Sequence, residues 1–174
     1  LTRLDGDQTL IAGNDGRYLN SLIVGQSIGI FYGPKFAGVD PENGDGLYFK
    51  QDGKSTTTDY NEAGNFIVGN PNPKLIAGFS NTFNYKGFEL SVLFQGVFGN
   101  KIMNGAGGFM SARFDWFDNQ TKDQFARWQK KGAVTDVPQL RLTGGSGIGV
   151  SGGDIQSGDY VQLKKATIAK RMQP

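Results

Sequence analysis

The chain contains no cysteine and no histidine. The first absence excludes a disulfide framework and thiolate zinc sites, and the second excludes imidazole ligands and a Ser-His-Asp triad. Neither sign of charge dominates: 18 Lys and Arg against 16 Asp and Glu leave a net +2, too little to argue for a nucleic-acid partner. Long hydrophobic runs are also missing. Mean hydropathy is −0.38, and the best uncharged run, Leu90–Phe98, is half of the ~18 residues a membrane helix needs. That excludes helical spans but not a β-barrel, whose strands alternate and so look polar on average. Leu1-Thr2-Arg3-Leu4 carries no mark of a signal peptide, and Pro174 directly follows a strand-like run. Both ends are therefore expected to be cut from a larger protein.

Glycine and aromatic residues are plentiful: Gly is 27 of 174 and Phe, Trp and Tyr make up 12%. Gly and Asn/Asp clusters separate short β-branched and aromatic runs, the mark of strands and turns. The strands expected are roughly Thr9–Ile11, Ile23–Phe36, Gly46–Lys50, Gly64–Val68, Leu75–Tyr85, Phe88–Phe98 and Tyr160–Lys170. One helix is expected over Thr121–Lys131, capped by Asp118 and ended by Gly132, with Phe125 and Trp128 on one face. The connection from Phe98 to Tyr160 is too long for an ordinary compact domain.

Leu75–Phe98 is the most informative segment. A two-residue loop at Lys86-Gly87 would oppose Tyr85/Phe88, Phe83/Leu90, Asn81/Val92, Phe79/Phe94, Ala77/Gly96 and Leu75/Phe98. All of these share one face, which is apolar apart from Asn81 and Gly96. The other face pairs Asn84/Glu89, Thr82/Ser91, Ser80/Leu93 and Gly78/Gln95. Eleven residues at ~3.3 Å each give about 36 Å, and a ~40° tilt projects this to about 28 Å, close to the ~25 Å apolar band of an outer-membrane barrel. Soluble strands are usually half as long. The alternative is a long amphipathic hairpin packed in a soluble sandwich.

In the barrel reading the hairpin at 75–98 is transmembrane. Phe79, Phe83, Tyr85, Phe88, Leu90, Val92, Phe94 and Phe98 face lipid, and Thr82, Asn84, Glu89, Ser91 and Gln95 face the lumen. Periplasmic turns are short and extracellular loops long. Lys86-Gly87 is then a periplasmic turn, and residues 37–74 and 99–159 are extracellular loops.

Several blocks resemble one family. Val24-Gly25-Gln26-Ser27-Ile28-Gly29 with Phe31-Tyr32-Gly33-Pro34-Lys35-Phe36-Ala37-Gly38 is similar to a block of the SusC/RagA-type TonB-linked outer-membrane proteins of Bacteroidetes. Gly69-Asn70-Pro71-Asn72-Pro73-Lys74, then Gly78-Phe79, Asn81-Thr82-Phe83 and Tyr85-Lys86-Gly87-Phe88, resembles the family's most specific one. Phe94-Gln95-Gly96 and Gly99-Asn100 continue it. Arg127-Trp128-Gln129-Lys130 with Thr135-Asp136-Val137-Pro138, and Gly158-Asp159-Tyr160-Val161-Gln162-Leu163-Lys164, resemble later blocks, in family order.

The resemblance implies an all-β fold: residues 1–174 would be part of a 22-stranded transmembrane antiparallel barrel with long extracellular loops and one short loop helix. The plug domain, the early strands and the last strands would lie outside it. It further implies TonB-dependent import of glycans or peptides across a Gram-negative outer membrane, beneath a SusD-like surface lipoprotein. The TonB complex would be met through the missing N-terminal part, with no cofactor. Arg171 departs from the pattern, where the family strand stays apolar, and Leu1–Asn20 matches poorly. The other class of function left open is a secreted or surface β-rich carbohydrate-binding module.

Three candidate sites stand beside plainer readings. Asp40, Asn43 and Asp45 supply hard oxygen donors for a weak Ca²⁺ loop, but the segment lacks an EF-hand frame and also fits an Asn/Asp/Gly turn. Arg113, Phe114, Trp116 and Phe117 form an aromatic and charged cluster suited to binding substrate or partner, or to forming the loop's own small core with Phe125 and Trp128. The polar inner residues of the hairpin serve equally as cavity lining. No catalytic constellation is present: Asp5/Asp7 and Asp40/Glu42 lie in turn-like segments without an apolar setting, and Gly144–Gly149 precedes no good helix. An enzyme is not expected.

Overall fold

The computed structural model describes residues 10–12, 20–110, 120–141, 149 and 151–170. In chain order its strands are β1 (Leu10–Ala12), β2 (Asn20–Ile23), β3 (Ile30–Pro34), β4 (Phe36–Val39), β5 (Gly46–Phe49), β6 (Thr56–Thr57) and β7 (Asn65–Gly69). These are followed by β8 (Leu75–Tyr85), β9 (Phe88–Phe98), β10 (Lys101–Met103), helix α1 (Gly105–Met110), β11 (Ile155–Ser157) and β12 (Tyr160–Lys170). The chain divides into two units, Asn72–Lys101 with Ser157–Pro174 and Leu1–Pro71 with Ile102–Gln156.

The first of these is a three-stranded antiparallel sheet in the order β12-β9-β8. Lys86 and Gly87 both have positive φ, 46° and 81°. That is a two-residue turn whose twist matches the strands it joins. It fixes the predicted register at every position, from Tyr85↔Phe88 to Leu75↔Phe98. On the other side β12 pairs with β9 from Tyr160↔Val97 to Lys170↔Phe88, with one register shift between Leu163 and Lys165. Lys164 is thus the extra residue of a bulge. Leu163 and Ala166 lie three apart, so without it they would point to opposite faces. With it both oppose apolar-face residues of β9, Phe94 and Val92.

The second unit holds a four-stranded sheet β1-β2-β3-β7, a three-stranded sheet β4-β5-β6 and a ribbon β10-β11. Its core is small. Ile30, Phe31 and Tyr48 are the buried apolar side chains among the described residues. The Tyr48 ring meets Phe36 and Tyr60 edge-on, at 6.0 and 5.3 Å between centroids. Its hydroxyl accepts the Gly149 N–H at 3.2 Å, so this buried phenol is both packed and hydrogen-bonded. The expected single run Ile23–Phe36 is interrupted by a turn in which the Gln26 N–H returns to the Ile23 carbonyl, so β2 and β3 pair as a hairpin.

The one helical expectation changes, and a helix forms where none was expected. Over Thr121–Lys131 there is only a 3₁₀ segment, Lys122–Ala126, after which Arg127 leaves helical geometry at ψ 153°. The competing partners are tertiary: the Trp128 N–H goes to the Val137 carbonyl at 2.9 Å, and the Thr135 hydroxyl takes the Ala126 carbonyl at 2.5 Å. The proposed cap Asp118 lies outside the described residues. Conversely, the Gly-rich segment after Asn104 forms α1. Glycine disfavours helix interiors, but the Asn104 side-chain oxygen accepts the Gly107 N–H at 3.0 Å, an N-terminal cap.

Candidate functional site

Directly opposed residues of an antiparallel ladder point to the same side, so the two registers sort the three-stranded sheet into two faces. One carries the rows Tyr85–Phe88–Lys170, Phe83–Leu90–Ile168, Asn81–Val92–Ala166, Phe79–Phe94–Leu163 and Ala77–Gly96–Val161, ending at Leu75–Phe98. The other carries Asn84–Glu89–Ala169, Thr82–Ser91–Thr167, Ser80–Leu93–Lys165 and Gly78–Gln95–Gln162. The structure therefore gathers Phe79, Phe83, Tyr85, Phe88, Leu90, Val92, Phe94 and Phe98 on one side. Thr82, Asn84, Glu89, Ser91 and Gln95 lie on the other, and the Thr82 hydroxyl reaches Ser91 Oγ at 3.4 Å. Sequence reasoning had not assigned β12 to either face. Its bulge extends the apolar side with Val161, Leu163, Ala166 and Ile168.

Much of that apolar side is exposed. Phe79, Phe83 and Tyr85 are 58%, 56% and 71% exposed, and Ile168 is 77% exposed. Transfer of each such side chain out of water is worth about 1.5–3 kcal/mol, so a face this continuous calls for an apolar environment. Asn81, the one amide on it, is half-buried. At the turn end, the Lys86 ammonium lies 5.3 Å from the Tyr85 ring centre and the Lys170 ammonium 5.4 Å from that of Phe88. At the opposite end the Lys74 N–H donates to the Phe98 carbonyl at 2.9 Å, and the Gly99 N–H to Asp159 Oδ1 at 2.6 Å.

In the other unit, the loop after β4 is joined to a segment almost a hundred residues away. Within the loop, Asp40 Oδ1 accepts the Glu42 N–H at 2.9 Å and Asn43 Oδ1 accepts the Asp45 N–H at 2.8 Å. From outside, Arg141 donates twice to Asp45 Oδ1, at 3.0 and 2.5 Å, and Gln139 donates to the Asn43 carbonyl at 2.9 Å. The Trp128 indole N–H reaches the Pro41 carbonyl at 3.1 Å, and Lys131 pairs with Glu42 at 2.6 Å. The oxygens considered for Ca²⁺ are thus engaged by the turn itself and by Arg141. Among the described residues no group of three acidic side chains is placed to hold a metal. Gln139, Arg141 and the role of Trp128 had no signal in sequence spacing.

Of the aromatic cluster, Arg113, Phe114, Trp116 and Phe117 lie outside the described residues. Trp128 packs against the turn at Gly44, while Phe125, expected to share its face, is 79% exposed. The 3₁₀ geometry that replaces the helix separates them.

Charged groups of this unit follow local causes. The Glu62 carboxylate, 2.8 Å from the Lys50 ammonium, raises the lysine's pKa by hydrogen bond and charge, and is itself lowered by Lys50 and by the Thr57 hydroxyl. Both groups are solvated, so the pair is worth little in stability. Asp52 is lowered by the Ser55 hydroxyl and the N–H groups of Lys54 and Ser55. Tyr60 is raised, first by burial and then by the Asp154 carboxylate. Asp154 is itself buried in a reciprocal cap, accepting the Ser151 N–H at 3.0 Å.

No protein-family profile matches the chain. Among curated proteins it is similar to TonB-dependent receptor P26 of Formosa agariphila, 28% identical over 95% of this chain and 17% of the relative. TonB-dependent receptor P3 of the same organism is 28% identical over 92% of this chain and 17% of its own length. Among solved structures, that of the RagAB peptide transporter superposes with a TM-score of 0.75 at 21% identity, covering 96% of this chain and 19% of that one. The RagAB peptide importer in its closed-closed state gives 0.78 at 21% identity, with 96% and 19% covered. The motif resemblance is borne out: the chain is similar to TonB-dependent receptors of a Bacteroidetes along nearly all of its length. Its fold is that of a section of an antiparallel outer-membrane barrel with its loops, and it does not close a barrel by itself. The relatives are receptors and transporters, not enzymes. The chain spans under a fifth of the length of the curated relatives it matches.

Proposed function

We propose that this chain is a stretch of wall and loops from an outer-membrane, TonB-dependent importer of oligomeric nutrients. The observation that carries the reading is the continuous apolar face of three eleven-residue strands, about 28 Å tall when tilted, backed by a small, polar opposite face. Phe79, Phe83, Leu90 and Ile168 face lipid, and Thr82, Asn84, Glu89, Ser91 and Gln95 face the lumen. Among the described residues no strand pairs with the outer edge of β8 or of β12. In a soluble protein such edges invite aggregation; in a barrel the next strands cover them. The sandwich alternative would need a second layer over Phe79, Phe83 and Tyr85, which are more than half exposed.

In this reading Lys86-Gly87 is a periplasmic turn, and the segments 37–74 and 99–159 are extracellular. Within residues 37–74, β5–β7 and the Asp40–Asp45 turn are folded structure. Cargo is a glycan or peptide oligomer, and the name of the solved neighbour, a peptide transporter, favours the peptide. The barrel would work with a SusD-like lipoprotein and draw energy through TonB, without a cofactor, and Arg113, Phe114, Trp116 and Phe117 are the residues offered to cargo or lipoprotein.

Fractionation of the native cells with uptake of labelled peptides and glycans tests this. Recovery in the outer membrane, with uptake abolished by a protonophore, is the expected result. Recovery of the intact protein in the aqueous fraction without detergent would end the importer reading in favour of a binding module.

A further inference from the structure

The turn end of the β12-β9-β8 sheet combines three features that the import reading leaves unused. First, two cations lie there on adjacent rings: Lys86 over Tyr85 and Lys170 over Phe88, with Tyr85 and Phe88 directly opposed. Both ammoniums therefore lie beside one row of the sheet. Second, neither pairs with a carboxylate among the described residues, whereas Lys50, Lys131 and Arg141 all do. Third, a recess of about 600 Å³ opens at this end of the sheet, lined by Tyr85, Lys86, Phe88 and Lys170 and, from the polar face, by Asn84 and Glu89. That lies within the ~300–1,000 Å³ typical of small-ligand sites.

We infer that Lys86 and Lys170 hold the phosphate of an anionic phospholipid headgroup, whose acyl chains lie along the apolar face that begins at Tyr85 and Phe88. The inference rests on the membrane reading given above. Charge complementarity selects the headgroup. A zwitterionic lipid offers the same phosphate but also an ammonium group, which the two lysines repel. The apolar rows supply what free phosphate lacks: Phe83, Leu90 and Ile168 continue from the lysine row toward the centre of the face. Stacking on the rings limits where each ammonium can go, so less ordering is left to occur on binding.

The test uses the intact full-length protein purified in detergent, with heat-modifiable gel migration as the check on barrel folding. Native mass spectrometry then reads retention of added phosphatidylglycerol, phosphatidylcholine or inorganic phosphate. A lysine near a membrane surface contributes ~1 kcal/mol, about fivefold in affinity. Each of Lys86→Gln and Lys170→Gln should therefore lower phosphatidylglycerol retention about fivefold, leaving phosphatidylcholine unchanged, and Lys86→Arg with Lys170→Arg should restore it. Equal loss of both lipids, no loss of either, or equal retention of inorganic phosphate would overturn the lipid site while leaving the importer intact. Failure to recover the protein in the membrane fraction would overturn the membrane reading, and this inference with it.

Discussion

The indole of Trp128 occupies the space that a side chain at position 44 would need. A Cβ on Gly44 would stand 2.6 Å from ring atoms Cδ2 and Cε3, and Gly44 has a φ of +76°. Only glycine meets both conditions, because a left-handed backbone and a ring pressed on Cα each exclude a Cβ. This contact joins the turn after β4 to a segment beyond residue 120, alongside Arg141–Asp45 and Lys131–Glu42.

Gly44→Ala should therefore cost about 1–3 kcal/mol locally. Amide exchange in the intact protein should accelerate about tenfold or more at 40–45 and 128–139 together, while the strands β8 and β9 stay protected. Exchange confined to 40–45 would show that Trp128 does not hold the two segments together.

Adjacent positions on β9 should respond oppositely to the same charge. Val92 lies mid-strand on the apolar face and Ser91 on the polar one. Val92→Arg should destabilise membrane insertion by ~2–4 kcal/mol, the cost of arginine at a bilayer midplane, and Ser91→Arg by much less. Urea titrations of both variants in lipid vesicles check this; equal losses would contradict the assignment of faces.

The Lys86-Gly87 turn needs positive φ at both residues, 46° and 81°. Gly87→Val puts a β-branched side chain in that region and should cost about 1–2 kcal/mol. Refolding into detergent micelles should slow accordingly, without change in the final structure. An unchanged refolding rate would mean the turn forms after the strands pair.

Tyr60 should ionise above the ~10 of a free tyrosine, because burial and then Asp154 favour the neutral phenol. The sign follows by linkage. A raised value in the fold gives a stabilisation that is complete below the usual tyrosine range and is lost as pH rises through Tyr60's own value. Tyrosinate absorbance in an alkaline titration should show a late component that is absent from Tyr60→Phe. Its persistence in that variant would assign it to another tyrosine.

What could be read from sequence was local. The hairpin β8–β9 was legible to the residue, because a two-residue turn leaves the strands one register and alternation then assigns every side chain to a face. The length of that face already pointed to a bilayer, and the ordered blocks to the family. The tertiary structure decided what depends on distant pairing. Nothing near Lys164 requires a bulge; it exists because β12 must match β9, whose sequence lies far upstream, and strict alternation would put Leu163 and Ala166 on opposite sides. The expected helix at Thr121–Lys131 shortens to a 3₁₀ segment because Val137 and Thr135 offer its backbone other partners. The oxygens of Asp40, Asn43 and Asp45 resembled metal ligands until Arg141 and Gln139, almost a hundred residues away, came into contact. Short-range geometry is set by the bonds between neighbours, whereas these contacts exist only once the chain has closed its long loops.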